Sequence, residues 1–219
     1  MFNTVITYAV PLAHGAALTA AIWIGALICS FFLGTVLGLV RCAPLRVPGI
    51  AQVADMITAL LRGVPFYVQL LIAYFVIPNL LGISISALAV ATVSLGICSA
   101  AYVSQLVVSG INAIARAQWE MAETLGYSIP QTVRLIVIPQ VLRAILPALC
   151  GEADQVLKST AIVSALGVME LTGVARNIVA RDLNPLDAYG AIAVIYLVGS
   201  GAMALLAAWL KRRLHYGND

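Results

Sequence analysis

From Gly15 to Val40 the sequence reads GAALTAAIWIGALICSFFLGTVLGLV, a stretch without a charged residue. The hydrocarbon core of a bilayer is about 30 Å thick, and a helix needs roughly 20 apolar residues to cross it. The stretch is too long for the apolar region of a signal peptide, about 7–15 residues, and no Lys or Arg precedes it. We therefore predict a transmembrane helix here. Its Gly34 and Gly38 form a GxxxG pattern, which predicts close packing against another helix.

The composition of the whole chain also indicates a membrane protein. Of 219 residues, 62% are hydrophobic and 10% are charged, whereas soluble domains carry about 25% charged residues. One small globule cannot bury that much apolar surface, so we expect a single all-α membrane domain over residues 1–219. A net charge of +3 without a basic cluster gives no reason to expect nucleic acid. The four cysteines show no CxxC spacing and are interpreted as small hydrophobic residues, not metal ligands.

Four further apolar segments follow the first, and polar or proline-containing stretches separate them. Pro78 to Gly82 is the natural break in a long charge-free region that starts at Gly63. Counting these breaks predicts five transmembrane helices. The predicted spans are about 15–40, 50–77, 84–110, 141–168 and 188–210.

The distribution of Lys and Arg predicts the orientation. One set of loops holds Arg41 and Arg46, then Arg116, Arg134 and Arg143, and finally the basic residues 211–213. The other set holds only residues 176 and 181 as arginines, with acids beside them. Cytoplasmic loops carry the excess of basic residues. We therefore predict that the N-terminus is outside and the C-terminus cytoplasmic.

The polar segment between the third and fourth spans, about residues 112–139, contains a short helix signal. Good helix formers run from Glu120 to Leu125, and Gly126 tolerates the left-handed conformation that ends a helix. Pro130 and Pro139 are expected to stop and restart the chain. Such a helix on the membrane surface suits a groove on a cytoplasmic partner. An ordinary interfacial helix between two spans would explain the same residues.

This segment resembles the EAA motif of ABC importer permeases. The motif has Glu, two small residues, three variable ones, Gly, nine variable ones, Ile, one variable residue, Leu and Pro. Five residues match it as they stand: Glu120, Ala122, Gly126, Ile136 and Pro139. Met121 replaces the first alanine of the motif, and Ile138 replaces its leucine.

The resemblance extends beyond this segment. Leu61-Arg62-Gly63-Val64-Pro65 is similar to the Leu-Arg-Gly-Thr-Pro segment of polar amino-acid permeases of the histidine, glutamine and opine type. The stretches 139–143 and 157–160 fit the same family, and the similarity covers roughly Ala16 to Arg213 in order. The resemblance implies the five-helix fold of a type I ABC importer permease. It also implies amino-acid transport, with polar, basic and opine-like substrates all open.

The resemblance implies several partners. The Glu120–Pro139 segment would seat on a dimer of ATP-binding cassette subunits and transmit their closure to the spans. A second permease chain, identical or paralogous, would complete the path, and a periplasmic solute-binding protein would deliver the amino acid. The sequence has no GxxxxGK[ST] phosphate loop, so ATP is expected on the partner and neither a cofactor nor enzymatic activity on this chain. The expected location is the bacterial inner membrane, crossed several times.

Charged residues within the predicted fourth span are candidates for a substrate pathway. Asp154 and Lys158 are four residues apart, so they share a helix face and can pair. Glu152 lies about 160° around the helix from Asp154. It therefore either bonds to a neighbouring span or faces a cavity and accepts the amino group of a substrate.

Three further residues join these candidates. Ser159 and Thr160 could donate hydrogen bonds to a substrate, although related chains often carry an acid directly after the lysine where this one has Ser159. Arg62, with Gly63 and Pro65 behind it, marks a helix break near the cavity. Equally, Arg62 could extend its side chain to the cytoplasmic surface.

Two other classes of protein stay open on this evidence. A self-contained ion-coupled carrier would use Glu152, Asp154 and Lys158 as a relay, but such carriers are often built from internal inverted repeats, which five spans cannot form equally. A structural membrane subunit without a cavity would leave Glu152 unexplained. Neither class predicts a metal site, and none is expected.

Overall fold

The computed structural model describes residues 7–215, and these residues form a bundle of α-helices. We number the helices α1 to α8 in chain order. Their bounds are α1 Ala9–Arg41, α2 Ile50–Gly63, α3 Phe66–Leu81, α4 Ala87–Asn112, α5 Arg116–Thr124, α6 Ile129–Leu166, α7 Leu171–Asp182 and α8 Pro185–His215. Within this part of the chain, α1, α4, α6 and α8 are each long and apolar enough to cross a membrane, and the bent pair α2–α3 adds a fifth span.

Helices α1 and α4 pack most closely, because small residues let their backbones approach. A Cβ atom added to Gly34 would lie 2.6 Å from Val103 Cβ, and one added to Gly38 would lie 2.6 Å from Val107 Cβ. In lipid there is no hydrophobic driving force that brings helices together. Van der Waals contact at such small residues therefore stabilises their packing. The close packing predicted from the GxxxG pattern is confirmed.

The second span is bent sharply near its middle. α2 ends at Gly63 and α3 begins at Phe66, with an angle of 103° between them. Pro65 lacks a backbone N–H and fixes its own φ, so the helix cannot continue through it. The side-chain amide of Gln69 then donates to the carbonyls of Leu61 and Val64 at 2.7 and 2.8 Å, which satisfies acceptors that the break leaves free. The span predicted as one stretch, 50–77, is therefore two helices, and the second runs on to Leu81.

Of the helix break predicted at Pro78 to Gly82, only the end at Gly82 occurs. Pro78 sits inside α3, directly after a π-helical turn at Ile72–Val76. Gly82 ends the helix with φ +65°, a left-handed conformation that glycine adopts without steric cost.

The fourth span is longer than predicted and begins earlier. α6 starts at Ile129, passes through a π-helical turn at Val133–Val137, and finishes as a 3₁₀ helix at Thr160–Leu166. The prediction that Pro130 and Pro139 stop and restart the chain is wrong for Pro139, which does not interrupt the helix. Pro130 does lie where a helix starts, in its first turn, where its missing N–H costs nothing. Pro139 follows the π turn, which widens the helix where the proline ring would meet the carbonyl of residue 135.

Three apolar clusters hold the bundle together along its length. Near the start of α1, Leu12 packs on Leu171 and Ile178 of α7 and on Ile192 of α8. The central cluster joins α1, α3, α4 and α6, with Ile22, Leu70, Leu95 and Val156 among its members. The third surrounds the ends of α1 and α4 and the start of α6, and it includes Cys42, Val107 and Val141. A cavity lies beside the central cluster and shares Leu95 and Val156 with it.

Candidate functional sites: a cavity in the bundle and a surface helix

A cavity of about 490 Å³ lies between the α2–α3 break, α4 and α6. The break exposes backbone near Gly63, and α4 and α6 supply the opposite walls. Its lining is mixed polar and apolar: Arg62, Gly63, Val64, Pro65, Phe66, Leu95, Cys98, Ser99, Tyr102, Glu152, Gln155, Val156, Ser159 and Ile162. Ligand sites are typically concave spaces of this size with a few convergent polar groups.

One stripe of α6 supplies most of the polar wall. Glu152, Gln155 and Ser159 are spaced three and four residues apart, so their side chains project from one face of the helix. Glu152 was predicted as a site candidate, and the structure places it on the cavity. It also bonds to a neighbouring span, and its acceptance of a substrate amino group stays a prediction.

A chain of hydroxyl groups fixes the Glu152 carboxylate. Ser99 Oγ on α4 donates to Glu152 Oε1 at 2.7 Å, and Ser30 Oγ on α1 donates to Ser99 Oγ at 2.8 Å. Both serines are buried. Because buried polar groups need partners, this chain specifies the position of the carboxylate from two helices. Ser30, Ser99 and Gln155 were not predicted as site residues, since isolated Ser and Gln residues in apolar helices have no recognisable spacing.

Arg62 also lines the cavity, from the end of α2. Its Nε donates to the Thr58 carbonyl one turn earlier, at 3.3 Å, which leaves the outer part of the guanidinium fork for other acceptors. Among the described residues that line this cavity, Glu152 and Arg62 are the only acidic or basic side chains. The site therefore presents one negative and one positive group.

The remaining candidates from the fourth span do not line this cavity. Thr160 is fully buried, and its hydroxyl donates to the Leu157 carbonyl at 2.6 Å. Lys158 Nζ and Asp154 Oδ2 form the predicted pair at 2.7 Å. Both lie away from the stripe that carries Glu152, as the helical period requires. A direct substrate contact for these three residues is therefore not favoured by their positions.

The predicted surface helix is α5, and it begins four residues earlier than Glu120. One face of this helix packs against the bundle, and another is exposed. Ala122 is buried and Trp119 packs against the third apolar cluster, while Met121 and Leu125 are 60% and 69% exposed. Gly126 follows with φ +80° and ends the helix as predicted. Glu120 is exposed and pairs with Arg116 at 2.9 Å, one turn away.

The rest of the motif lies on the membrane helix that follows. Ile136 is half-buried and Pro139 exposed, and both belong to α6 and not to a loop. The side-chain amides of Gln118 on α5 and Gln140 on α6 exchange hydrogen bonds at 3.3 and 2.8 Å. This pair connects the surface helix directly to the fourth span. Gln140 lies in the stretch 139–143 that fits the family pattern, but the sequence did not indicate that it contacts Gln118.

Glu170 is a second buried acid, and it was not among the predicted site residues. It is 0% exposed and caps α7, accepting from the N–H groups of Thr172 and Gly173 at 2.9 Å each. Burial raises the pKa of the Glu170 carboxyl, and the two backbone N–H groups oppose that rise. Within the described residues no group of three His, Cys, Asp or Glu side chains is placed to hold a metal ion.

Comparison with known proteins gives these sites a context. Residues 31–216 match the family described as "Binding-protein-dependent transport system inner membrane component". The chain belongs to this family. The resemblance drawn from the EAA motif is thus confirmed, and so is the all-helical permease fold. The orientation of the termini stays a prediction.

Related permeases are named for amino acids. The chain is 34% identical over 201 residues to the "Arginine transport system permease protein ArtQ" of Bacillus subtilis (strain 168), covering 92% of this chain and 91% of that protein. It is 31% identical over 193 residues to the "L-cystine transport system permease protein TcyL" of the same organism, covering 84% and 78%. The permease is therefore similar to whole proteins of this kind along most of its length.

Solved structures agree with the fold. The permease matches a chain in the "Crystal structure of an amino acid ABC transporter with histidines" with a TM-score of 0.88 and 30% identity, over 97% of this chain and 98% of that one. A chain of the MetNI methionine ABC transporter in an inward-facing conformation matches with a TM-score of 0.74 and 16% identity, over 93% and 94%. The second likeness concerns the fold alone.

Proposed function

We propose that this permease carries an amino acid of no net charge across the bacterial inner membrane, as the membrane subunit of an ATP-driven importer. The observation that carries the proposal is that Glu152 and Arg62 face one cavity inside an apolar bundle. Ionisable side chains at membrane depth are costly and by default mark a substrate or ion pathway. The names of the relatives, which include arginine and L-cystine carriers, support amino acids as the class.

The two charged groups match the two ends of a zwitterion. The Glu152 carboxylate would accept the α-ammonium group, and the Arg62 guanidinium would donate to the α-carboxylate, which it can bind in a bidentate manner. Their charges then cancel, and the substrate side chain meets Gln155, Ser159 and other uncharged groups. A cationic side chain would lack an acid of its own, since Ser159 stands where related chains often have one. A polar, uncharged side chain such as that of glutamine fits best.

The proposed partners are based on two exposed parts of the molecule, the surface helix α5 and the open cavity. An ATP-binding cassette dimer would receive α5, whose Met121 and Leu125 point away from the bundle. A second permease chain would cover the cavity, because Arg62 and Glu152 cannot face lipid at low cost. A solute-binding protein would deliver the amino acid from the other side of the membrane.

Binding of radiolabelled L-glutamine to the permease–ATPase complex in lipid nanodiscs tests this proposal. Removing the charge with Glu152→Gln should weaken glutamine binding by about tenfold or more, since hydrogen bonds to charged groups contribute about 1.5–3 kcal/mol. Ser159→Asp should raise the affinity for L-arginine relative to L-glutamine, because it adds the missing acid. Tighter binding of arginine than glutamine by the unmodified complex would contradict the proposed class.

The ion-coupled carrier is not supported by the geometry. Glu152 lies on the cavity, whereas Asp154 and Lys158 pair with each other on another face of α6. A relay needs groups within hydrogen-bond reach of one another, and these three do not form one. Glutamine uptake driven by a pH gradient, in vesicles that contain this chain alone, would revive that alternative.

A further inference from the structure

Arg41, the last residue of α1, has a side chain that is only 7% exposed and bonds to two other helices. Its Nε donates to Asp55 Oδ1 on α2 at 2.6 Å. Its two terminal nitrogens donate to Ser104 Oγ and Gln105 Oε1 on α4, at 2.8 and 3.3 Å. The planar guanidinium holds its donors in a fixed arrangement, so it fixes the acceptors relative to one another. We call Arg41, Asp55, Ser104 and Gln105 the Arg41 network.

Apart from this network, α2 has little that holds it against the bundle. Its buried residues are all small: Ala51, Ala54 and Thr58. None of the residues of α2, which the structure describes throughout, belongs to the three apolar clusters, and its large side chains Met56 and Leu60 are exposed. Small side chains bury little apolar area and therefore contribute little stabilisation. Asp55 is the only α2 side chain that bonds to another helix among the described residues.

The far end of α2 is held at a second point. There the side-chain amide of Gln69 on α3 donates to the Leu61 carbonyl, as described above for the break. This bond involves the backbone of α2, whereas the Arg41 network acts on a side chain in the first half of the helix. The position of α2 therefore depends on two restraints, one near each end.

Asp55 and Arg62 lie on the same stripe of α2. They are seven residues apart, which places them within about 20° of each other around the helix and about 10 Å apart along it. Thr58 lies between them and is fully buried, and its carbonyl accepts from Arg62 Nε. A rotation of α2 that displaces Asp55 therefore displaces Arg62 by a similar angle. Arg62 lines the cavity, whereas neither Asp55 nor Arg41 is among the lining residues.

We propose that Arg41 is a positioning residue that fixes the rotation of α2 through Asp55 and so directs the Arg62 guanidinium into the cavity. Arg41 acts at a distance, because it does not touch the space in which the substrate would lie. The inference rests on the proposed function, which gives Arg62 the substrate α-carboxylate as its ligand. It extends that function by assigning a role to a charged group outside the cavity.

Arg46 offers a matched control for Arg41. It also bonds to Asp55, with Nη2 at 3.3 Å from Oδ2, but its side chain is half exposed and it has no other bonded partner within the described residues. Arg41→Met and Arg46→Met each remove one positive charge beside the same carboxylate. The difference between the two variants therefore reports the buried link to α4.

Hydrogen exchange measured by mass spectrometry on the permease–ATPase complex, without substrate, tests the link. Arg41→Met should speed the exchange of residues 50–63 by about tenfold, as expected when hydrogen bonds to a charged group are lost. Arg46→Met should change it by less than about twofold, because exposed ion pairs contribute little. Equal exchange of residues 50–63 in the two variants would overturn the proposal.

A double-variant comparison separates positioning from simple stabilisation. In binding of radiolabelled L-glutamine to the complex, Arg62→Met should weaken affinity by about tenfold or more, and Arg41→Met by about threefold or more. If Arg41 acts through Arg62, the combined variant should bind within about twofold of Arg62→Met alone, since the effects of coupled residues do not add. Losses that multiply in the combined variant would overturn the proposal.

Asp55→Asn provides the measurement if Arg41→Met does not assemble. It keeps the shape of the side chain and removes its charge, and it should speed the exchange of residues 50–63 by about threefold. Unchanged exchange would overturn the proposal. The proposed function fails in a different way, because it is contradicted by absence of glutamine binding to the unmodified complex, whereas the exchange of α2 is measured without glutamine.

Discussion

The side chains of Gln118 and Gln140 exchange two hydrogen bonds, at 3.3 and 2.8 Å, across the junction between α5 and α6. Gln140 also donates to the Ile136 carbonyl at 2.9 Å. Movement of α5, as proposed for coupling, would reach the start of the fourth span through this amide pair as well as through the apolar contacts of Trp119. This arrangement is suited to a helix that passes on the motion of a partner.

We expect Gln118→Ala and Gln140→Ala each to lower amino-acid uptake while ATP hydrolysis by the complex continues. Each change removes the same link, worth about 0.5–1.5 kcal/mol per hydrogen bond. The double variant should therefore be no worse than either single one, which uptake per ATP hydrolysed measures directly. Gln52→Ala removes an exposed amide on α2 and serves as the matched control. Additive losses in the double variant would show that the two amides do not act as a pair.

Gly126→Ala should weaken coupling through backbone strain alone. A Cβ atom at Gly126 would meet nothing within 4 Å, but φ is +80°, and holding a non-glycine residue there costs about 1–3 kcal/mol. The end of α5 should shift, and uptake per ATP hydrolysed should fall. Gly201→Ala is the control, because that glycine lies inside α8 with open space around it and without a positive φ. Equal effects of the two changes would argue against strain as the cause.

Gly34→Ala should lower the melting temperature of the purified permease. The added methyl group would lie 2.6 Å from Val103 Cβ, and overpacking of this kind costs about 1–3 kcal/mol. Gly201→Ala is the control, because the methyl group added there meets no atom within 4 Å. Thermal unfolding in detergent, followed by circular dichroism, measures both variants. Equal melting temperatures of the two variants would mean that α1 and α4 do not meet at Gly34.

Ser99→Ala should raise the concentration of glutamine needed for half-maximal binding by about tenfold or more, as for a lost hydrogen bond to a charged group. The carboxylate of Glu152 would lose its 2.7 Å donor and its fixed position on the cavity. Ser30→Ala, one step further from the carboxylate, should have a smaller effect in the same assay. A larger effect of Ser30→Ala would contradict the order of the hydroxyl chain.

Neutralising Asp154 and Lys158 together should leave uptake within about twofold, because replacing both partners of an ion pair is often close to neutral. We therefore expect Asp154→Asn with Lys158→Met to be tolerated, whereas Asp154→Asn alone leaves an unpaired lysine and should impair assembly. ATP-dependent uptake of radiolabelled glutamine distinguishes them. Complete loss of uptake in an assembled double variant would place the pair on the substrate path.

Much of the fold could be predicted because lipid imposes a simple constraint. Every backbone polar group in a membrane must be satisfied within its own segment, so long charge-free stretches become helices. Gly34 and Gly38, the Asp154–Lys158 pair and the glycine end of α5 depend on spacing within one helix, and all were predicted at the right residues. The start of the fourth span was predicted incorrectly, because Pro130 and Pro139 were treated as breaks. Pro130 lies at the start of the helix, and the π turn accommodates Pro139.

The sequence by itself determined the class of molecule, the number of spans and the family, since hydropathy and the spacing of the EAA motif are local properties of the chain. Only the tertiary structure decided which polar residues meet. Glu152 reaches Ser99 across 53 positions, Glu170 reaches Thr19 across 151, and Arg62 lines the same cavity as Glu152 beside the bent second span. Such contacts depend on how helices are rotated and offset against one another. The rotation and offset are set by packing at small residues between helices that are distant in sequence. No local sequence pattern specifies which of these helices will meet.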